Sequence, residues 1–281
     1  MISQTVGILH PGEMGVSLAA SAQNSGHAVL WASADRSPAT RRRAEKVELQ
    51  DAGSLANLCA ACAVLVSVCP PHAAETLAEQ VAACGFHGLY VEANAISPGR
   101  VRRMAHSMAA AGIDLVDGGI IGGPAWQPGT VLYLSGERAG EAAACFSAGP
   151  LETHVLDGGA GAASALKMCY AAYTKGATAL LCAILAAAED LGVREALYRH
   201  WERDDPGFTQ RTDQRARRVT AKAWRFEGEM REIAATFEEA GLPGGFHLAA
   251  AEIYRRLAHF KDADTPALED VLQALLRSPA A

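Results

Sequence analysis

The segment Thr5–Gly15, which reads TVGILHPGEMG, constrains the fold more than any other part of the chain. A short apolar run leads into a glycine-rich turn, a helix-like stretch follows over residues 16–24, and a second apolar run begins after Gly26. Strand, turn, helix and strand in this order are typical of a dinucleotide-binding unit. Such a turn suits a pyrophosphate because the free N–H groups at the start of a helix attract negative charge.

The glycines of this turn have separate roles in the expected geometry. Gly12 would let the backbone approach a phosphate without an intervening Cβ, and Gly15 would let the helix pack closely on the strand. His10 stands where the first glycine of the motif is expected, so the match is incomplete. We predict that the cofactor contacts Pro11, Gly12, Glu13, Met14 and Gly15.

The first half of the chain alternates between short β-like runs and alanine-rich helical stretches. The β-like runs are Val6–Leu9, Ala28–Ala32, Val64–Val68, Leu89–Glu92, Asp114–Val116 and Val131–Ser135. This alternation predicts a mostly parallel sheet with helices on both faces. We therefore predict an α/β Rossmann domain that binds a dinucleotide over residues 1–158.

The character of the sequence changes after Gly158. The stretch Gly161–Leu191 contains no proline and would form a helix about 45 Å long. Because a small domain cannot bury so long an apolar helix, we expect a second subunit to cover it. We predict an all-α domain over 159–281 for dimerisation and substrate binding, with helices at Arg194–Arg203, Thr209–Glu239, His247–Phe260 and Ala267–Leu276.

Composition limits the partners and the compartment. A net charge of −6 gives no basic surface for nucleic acid. The longest apolar run, Gly176–Ala188, is shorter than the roughly 20 residues of a membrane span, and no leader precedes the first strand. We therefore expect a cytoplasmic protein that contacts neither nucleic acid nor membrane.

The seven cysteines are odd in number and stand in apolar surroundings, which favours reduced, buried thiols. Cys59 and Cys62 form a CxxC pair, but no second pair follows at zinc-finger spacing. We predict no metal site.

Six motifs occur in an order that resembles the 6-phosphogluconate and β-hydroxyacid dehydrogenases and their imine reductase relatives. They are HPGEMG (10–15), VCPP (68–71), EANAISP (92–98), DGGIIGGP (117–124), VLYLSG (131–136) and GAASALK (161–167). The block 223–247 looks most like a bacterial subgroup described as phosphogluconate-dehydrogenase-like. The resemblance covers nearly the whole chain and implies an NAD(P)-dependent oxidoreductase with a small-molecule substrate and interlocked helical domains in a homodimer.

The loop after the second β-like run bears on the choice of cofactor. Asp35 lies where an acid accepts the ribose hydroxyls of NAD, whereas Ser33, Arg36 and Ser37 could hold the 2′-phosphate of NADP. Arg41–Arg43 add positive charge nearby. Related reductases commonly carry an Arg-Ser or Arg-Thr pair here and use NADPH, so we favour NADPH and keep NAD(H) as the alternative.

The resemblance also places Cys69 and Pro70 beside the cofactor and Asn94 near the nicotinamide. An asparagine at such a strand-to-turn position can contact a ligand or can form an Asx turn with its own backbone. Both interpretations of Asn94 remain open.

Lys167 is the strongest candidate for chemistry. It lies two turns into an otherwise apolar helix, where burial would lower its pKa and suit it to general acid or base catalysis. The alternative is a lysine that extends to solvent. In β-hydroxyacid dehydrogenases the matching lysine moves the proton that accompanies hydride transfer. We predict Lys167 as proton donor or polariser, and Tyr170 as donor or orienting group.

Two departures from the hydroxyacid dehydrogenases bear on the substrate. Tyr170 replaces an asparagine, and Ile121 replaces a serine that binds the substrate carboxylate. Each lost hydrogen bond to a charged group is worth roughly 1.5–3 kcal/mol, so a small hydroxy acid should bind poorly. We predict a large apolar pocket at Ile121, Gly122, Trp126, Trp224, Met230 and His247, with core packing as the alternative for each aromatic or methionine.

These observations favour an NADPH-dependent reductase acting on a C=N bond. A protonated imine beside the cationic Lys167 is unfavourable, so the lysine would have to protonate a neutral imine or assist Tyr170. A β-hydroxyacid dehydrogenase that anchors the carboxylate through Arg225 or Arg231 is the first alternative. A non-catalytic NADP-binding protein is the second, because His10 interrupts the glycine motif.

Overall fold

The structure is a computed structural model that describes residues 3–277. The chain forms two compact units, of which one ends at Met168 and the other begins at Cys169. This division falls within a helix, Ala162–Ala171. The sequence-based boundary between residues 158 and 159 precedes that helix and stays a prediction.

The first unit is built on an eight-stranded sheet with strand order β3-β2-β1-β4-β5-β6-β7-β8. Neighbouring strands run parallel except β6 and β7, which are antiparallel. The predicted mostly parallel Rossmann domain is therefore confirmed. The strands are β1 Thr5–Ile8, β2 Ala28–Trp31, β3 Gln50–Asp51, β4 Val64–Ser67, β5 Leu89–Glu92, β6 Asp114–Ile121, β7 Thr130–Ser135 and β8 Leu151–Val155.

Helices cover this sheet, and its central strands are buried throughout. Every residue of β4 and β5 is buried, as expected for parallel strands with helices on both faces. Val64 and Val66 pack into one apolar layer, while Leu65 packs into the other, so side chains alternate between the two faces. The helices are α1 Glu13–Asn24, α2 Pro38–Lys46, α3 Leu55–Ala61, α4 Ala74–Ala83, α5 Pro98–Ala110, α6 Ala139–Ala144 and the start of α7 Ala162–Ala171, with a 3-10 turn at Pro71–Ala73.

Three strands differ from the sequence-based expectation. β3 and β8 were not predicted because they lie at the two edges of the sheet and carry exposed polar residues instead of an apolar run. β6 extends to Ile121, beyond the predicted Val116. The extension contains Gly118 and Gly119, which have weak strand propensity but pair in register with β7.

The second unit is all-helical, as predicted. The expected long helix over 161–191 forms as α7, a π-helical turn at Ala172–Gly176, and α8 Ala177–Asp190. The remaining helices follow at the predicted positions to within a few residues. They are α9 Arg194–Asp204, α10 Phe208–Glu239, α11 Gly245–Leu257 and α12 Leu268–Leu276, with a 3-10 turn at Ala258–Phe260.

The helical stretch 162–190 is long and apolar enough to cross a membrane by length and composition alone. It is the one such helix in the described part of the chain, and half of its most apolar window is buried within the protein. Leu180 on α8 and Tyr173 in the π-helical turn expose large apolar side chains. Coverage by a second subunit stays a prediction.

Candidate active site

The turn between β1 and α1 has the geometry of a phosphate site. Gly12 precedes the first residue of α1 in an extended conformation and offers no side chain to cap the helix. A Cβ at Gly12 would meet nothing within 4 Å, so the space in front of the helix is open. A Cβ at Gly15 would lie 2.1 Å from the His10 carbonyl oxygen, so a larger residue there would force the backbone to shift. The turn fits the pyrophosphate of a dinucleotide, since the start of α1 has no side-chain cap and the space beside Gly12 is open.

His10 contributes no positive charge to this turn. Its Nδ1 atom is buried without a hydrogen-bond partner among the described residues. Burial, assisted by the nearby Arg36, lowers the pKa of His10 to about 4, so the imidazole is neutral at pH 7. The cation next to the turn is Arg36, whose Nη2 donates to the Leu9 carbonyl oxygen at 3.2 Å.

Arg36 belongs to a loop that places two arginines around Ser33. Arg41 Nη2 donates to the Ser33 carbonyl oxygen at 2.7 Å, and its Nε donates to the Arg36 carbonyl oxygen. The Ser33 N–H donates to Asp51 Oδ1 at 3.2 Å. Ser33 and Arg36 are therefore brought together near the turn, at the carboxyl ends of β1 and β2. Asp51 fixes this loop, although no motif identified it.

The other two loop residues have different local roles. Ser37 caps α2 by accepting a hydrogen bond from the Thr40 N–H at 3.3 Å. Asp35 is exposed and adopts a left-handed conformation with φ of 58°. An aspartate tolerates this conformation better than most residues do. Both the acid that would favour NAD and the cations that would favour NADP are thus present on one loop.

Asn94 makes its hydrogen bonds across two strands, and its contact with a ligand stays a prediction. Its Oδ1 accepts a hydrogen bond from the Cys69 N–H, and its Nδ2 donates to Ser67 Oγ at 2.9 Å. The side chain is buried and joins the carboxyl ends of β4 and β5, so it is not an Asx turn. Burial raises the pKa of the Cys69 thiol to about 12. Cys69 therefore stays protonated, and the exposed Pro70 follows it directly.

Lys167 lies on α7, whose first turn is anchored by Asp117 at the middle of β6. The carboxylate is fully buried and accepts hydrogen bonds from the N–H groups of Gly161 and Ser164, both at 2.9 Å. It also accepts from Ser164 Oγ at 2.6 Å and from Ser135 Oγ at 3.1 Å. A carboxylate at a helix N-terminus satisfies the free N–H groups and the helix dipole together.

Gly119 brings α7 close to β6 at the level of Lys167. A Cβ at Gly119 would lie 2.5 Å from the Ala163 carbonyl oxygen and 3.3 Å from the Lys167 Cβ. Lys167 is half-buried, and so it is neither in the core nor fully extended to solvent. Tyr170 follows by three residues on α7 and is 50% exposed.

Glu92 was not identified from the sequence as a site residue, yet it is fully buried beside this anchor. It pairs in register with Asp117 across β5 and β6. Its Oε1 accepts a hydrogen bond from the Asn94 N–H at 3.0 Å. Burial raises the pKa of Glu92 to about 8; the Asn94 hydrogen bonds and the Lys167 cation oppose this shift, and the Asp117 charge adds to it.

The predicted pocket residues fall into two groups. Ile121, Gly122 and Trp126 lie at or just after the end of β6 in the first unit, and Ile121 is half-buried while the other two are exposed. Trp224, Met230 and His247 lie on α10 and α11 in the second unit. Met230 is fully buried, which favours its interpretation as a core residue.

His247 and Trp224 have distinct surroundings in the second unit. His247 packs edge-on against Phe237 and Phe246, and burial lowers its pKa. Its Nδ1 has no hydrogen-bond partner among the described residues. Trp224 is partly exposed and carries the Lys261 ammonium 4.3 Å from its ring centroid.

A polar cluster at the π-helical turn also escaped the sequence interpretation. Lys175 forms an ion pair with Glu229 and lies 4.7 Å from the centre of the Phe226 ring. The Tyr254 hydroxyl donates to the Lys175 carbonyl oxygen at 2.7 Å. A π-helical turn frees such carbonyl groups from the regular helix pattern and occurs frequently at functional sites.

Comparison with known proteins identifies the family. Residues 5–145 match the NAD binding domain of 6-phosphogluconate dehydrogenase. The chain belongs to this family. Residues 188–257 match a domain of unknown function. Comparison with curated proteins gives no match.

Solved structures share the fold of this family member over nearly its full length. A conserved protein of unknown function, described as structurally similar to 3-hydroxyacid dehydrogenases, is 26% identical with a TM-score of 0.68, covering 97% of this chain and 100% of its own. The 3-hydroxyisobutyrate dehydrogenase of Mycobacterium tuberculosis is 18% identical with a TM-score of 0.72, covering 98% and 100%. An imine reductase variant from Myxococcus stipitatus, in complex with NAD+, is 18% identical with a TM-score of 0.57, covering 98% and 100%.

The family match indicates an NAD(P)-dependent oxidoreductase, and its fold is shared with 3-hydroxyacid dehydrogenases and imine reductases. The nicotinamide dinucleotide belongs to the first unit, because the family match spans the turn and most of the sheet. The substrate and the preference between NADP and NAD depend on individual side chains that a shared fold does not specify.

Proposed function

We propose that this family member is an NADPH-dependent reductase that delivers hydride to the carbon of a C=N bond in a fairly large apolar substrate. The observation that carries the proposal is the position of Lys167. A half-buried lysine stands on a helix whose first turn is fixed by three hydrogen bonds to Asp117. A proton donor must be held rigidly, because catalysis depends on its placement relative to the reacting atom.

The residues of the first unit and Tyr170 at the end of α7 have complementary tasks in this proposal. When bound, the cofactor supplies the hydride. The turn at Pro11–Gly15 holds its pyrophosphate, and Ser33, Arg36 and Ser37 hold the 2′-phosphate, where the Arg36 guanidinium matches phosphate geometry. Cys69, Pro70 and Asn94 border the cofactor, with Asn94 fixing the backbone at Cys69. Lys167 holds the proton at Nζ, and Tyr170 orients the substrate or donates in its place.

Apolar residues at the end of β6 support a large apolar substrate. Ile121 is half-buried where related dehydrogenases carry a serine for the substrate carboxylate, and Trp126 is 48% exposed nearby in sequence. An exposed aromatic side chain of this size favours contact with an apolar or aromatic group. For Trp224 and His247, which lie in the second unit, the pocket role stays a prediction.

A β-hydroxyacid dehydrogenase is the second candidate, and Lys167 itself favours it. The matching lysine in those enzymes serves a carbonyl or hydroxyl group, which avoids placing two cations side by side. This candidate then needs another residue to bind the substrate carboxylate, since Ile121 replaces the serine. Arg231 already forms an ion pair with Glu227 at 3.1 Å, which leaves Arg225 as the better candidate.

Oxidation of NADPH distinguishes the two candidates. The protein would be assayed with NADPH and cyclic and aryl imines, ketones or 2-keto acids. Turnover would be measured as the loss of the absorbance of the reduced nicotinamide. Lys167→Ala and Tyr170→Phe identify the proton donor, and Lys222→Ala, an exposed lysine on α10, is the matched control. Imine turnover lost in one variant supports the proposal, whereas turnover of keto acids alone refutes it. Cofactor binding with no turnover, unchanged by Lys167→Ala, would indicate a non-catalytic binding protein.

A further inference from the structure

Two acidic side chains lie next to each other in the core of the first unit. Glu92 ends β5 and Asp117 lies opposite it on β6, and both are fully buried. Their hydrogen bonding is unequal. Asp117 accepts four hydrogen bonds, whereas Glu92 accepts from Asn94 and its Oε2 has no partner in the described part of the chain.

This inequality determines which acid carries the negative charge. Donors directed at a carboxylate stabilise its ionised form, so Asp117 retains its charge. Glu92 lacks that support at Oε2, and a second negative charge beside Asp117 in a dry site is unfavourable. A buried carboxyl group in this position reaches its lowest free energy as the neutral acid. The direction of its pKa, raised to about 8, agrees with the geometry.

The remaining groups that face Glu92 do not change this balance. Tyr90 stands two residues earlier on β5, and burial raises its pKa well above the usual value, so it is neutral. Cys69 follows β4, and burial raises its pKa to about 12, so it is neutral as well. The charges that act on Glu92 from the neighbouring elements are thus Asp117 on β6 and Lys167 on α7.

We propose that Glu92 is a positioning residue that stays protonated at neutral pH and thereby keeps the Lys167 ammonium acidic enough to donate its proton. This inference rests on the function proposed above. An ionised Glu92 would attract the Lys167 cation and stabilise it, which would make the ammonium a weaker acid. A neutral Glu92 withholds that stabilisation while preserving the shape of the site.

The proton balance of the reduction is simple under this proposal. The hydride, with its two electrons, would come from the C4–H bond of the reduced nicotinamide, which would be left oxidised. It forms the new C–H bond at the substrate carbon while the π electrons of the C=N bond move to the nitrogen. A proton leaves Lys167 Nζ for the substrate nitrogen, and Lys167 becomes a neutral amine. Solvent then restores the proton to Lys167, and Glu92 keeps its own proton throughout.

The protonation of Glu92 can be measured without turnover. A protonated buried carboxyl group gives an infrared C=O band separate from that of carboxylates. We expect this band in the full-length protein at neutral pH, with a titration midpoint near pH 8. It should vanish in Glu92→Gln and persist in Glu79→Gln, which alters an exposed glutamate. In Lys167→Ala the midpoint should rise, because a cation that favours ionisation is gone.

The effect on Lys167 is measured by the pH dependence of NADPH oxidation with one substrate for all variants. Wild-type kcat should fall above pH 8 and be about tenfold lower one pH unit beyond the midpoint. Glu92→Gln resembles the protonated acid and should lack this decline, while Glu92→Asp should retain a decline with a shifted midpoint. If Glu92 only supported the fold, its substitution would change the magnitude of kcat and leave the pH midpoint of the decline in kcat unchanged.

The outcomes separate this inference from the proposed function. An unchanged pH profile in Glu92→Gln, or the absence of the infrared band in the wild type, would overturn the inference. If no substrate turns over, the proposed function fails and the infrared titrations of wild type and Lys167→Ala still decide whether Glu92 is protonated and coupled to Lys167. The same two titrations suffice if Glu92→Gln does not fold.

Discussion

The Asp117 carboxylate accepts hydrogen bonds from both the backbone N–H and the hydroxyl of Ser164, at 2.9 and 2.6 Å. A residue of β6 thereby caps α7 across the core of the first unit. Because Lys167 follows Ser164 by three residues, the same two contacts fix the height of the lysine above the sheet. The anchor and the candidate proton donor are thus parts of one rigid arrangement.

Removal of this anchor should destabilise the protein strongly. Asp117→Ala leaves two buried N–H groups and two hydroxyls without their acceptor, and we expect a loss of at least about 3 kcal/mol in the free energy of unfolding. Asp114→Ala on the same strand is the control. Asp114 is exposed and paired with Arg138, and such pairs contribute about 1 kcal/mol or less. Denaturant unfolding measures both, and equal midpoints for the two variants would contradict the assigned role of Asp117.

The two glycines of the phosphate turn should respond differently to alanine. Gly15→Ala forces a Cβ against the His10 carbonyl oxygen, and overpacking of this kind costs about 1–3 kcal/mol of stability. Gly12→Ala meets no protein atom and should fold normally. Its Cβ would instead occupy the space proposed for the pyrophosphate and weaken NADPH binding by about tenfold or more.

A melting curve and a fluorescence titration with NADPH separate these effects for each variant. Normal cofactor affinity in a well-folded Gly12→Ala protein would show that the phosphates bind elsewhere.

Cofactor preference should depend on Arg36. Loss of a charge-assisted hydrogen bond to phosphate costs about 1.5–3 kcal/mol, so Arg36→Ala should raise the KM for NADPH roughly tenfold to a hundredfold. The KM for NADH should change little. Asp35→Asn is the counterpart, since asparagine tolerates the left-handed conformation of this residue. If the wild type prefers NADH and Asp35→Asn abolishes that preference, the assignment of NADPH as the cofactor is wrong.

The sequence predicted the fold well because the signals that define it are local. The apolar run at 6–9, the glycines after it and the six alternating runs were sufficient to predict a mostly parallel sheet. The missed strands, β3 and β8, lie at the sheet edges, where backbone pairing replaces apolar burial as the stabilising interaction. The periodicity of apolar residues in the sequence does not predict such strands.

The candidate site was less predictable because its central contacts join residues far apart in the chain. Lys167 was found from its place in an apolar helix, yet nothing local shows that Asp117 caps that helix. Glu92 looks like the ordinary end of a strand in the sequence. Its significance arises from register, which places it opposite Asp117, and from full burial.

Glu92 should make the stability of the folded protein depend on pH with a definite sign. Its pKa is about 8 in the folded state against an ordinary value of 4.5. Between these values the folded state binds a proton that the unfolded state lacks. The free energy of unfolding should therefore fall as the pH rises from about 4.5 to 8, by up to about 1.4 kcal/mol per pH unit.

Glu92→Gln removes this contribution because its amide does not titrate. Unfolding in urea between pH 5 and pH 8.5 would measure it, with Glu79→Gln as the exposed control. We expect wild type and the control to lose stability toward the alkaline end relative to Glu92→Gln, and the largest difference should occur near the folded pKa of about 8 and above. Curves that remain parallel across this range would mean that Glu92 is ionised in the folded protein. In that state its charge would stabilise the Lys167 ammonium, and proton donation would then fall to Tyr170.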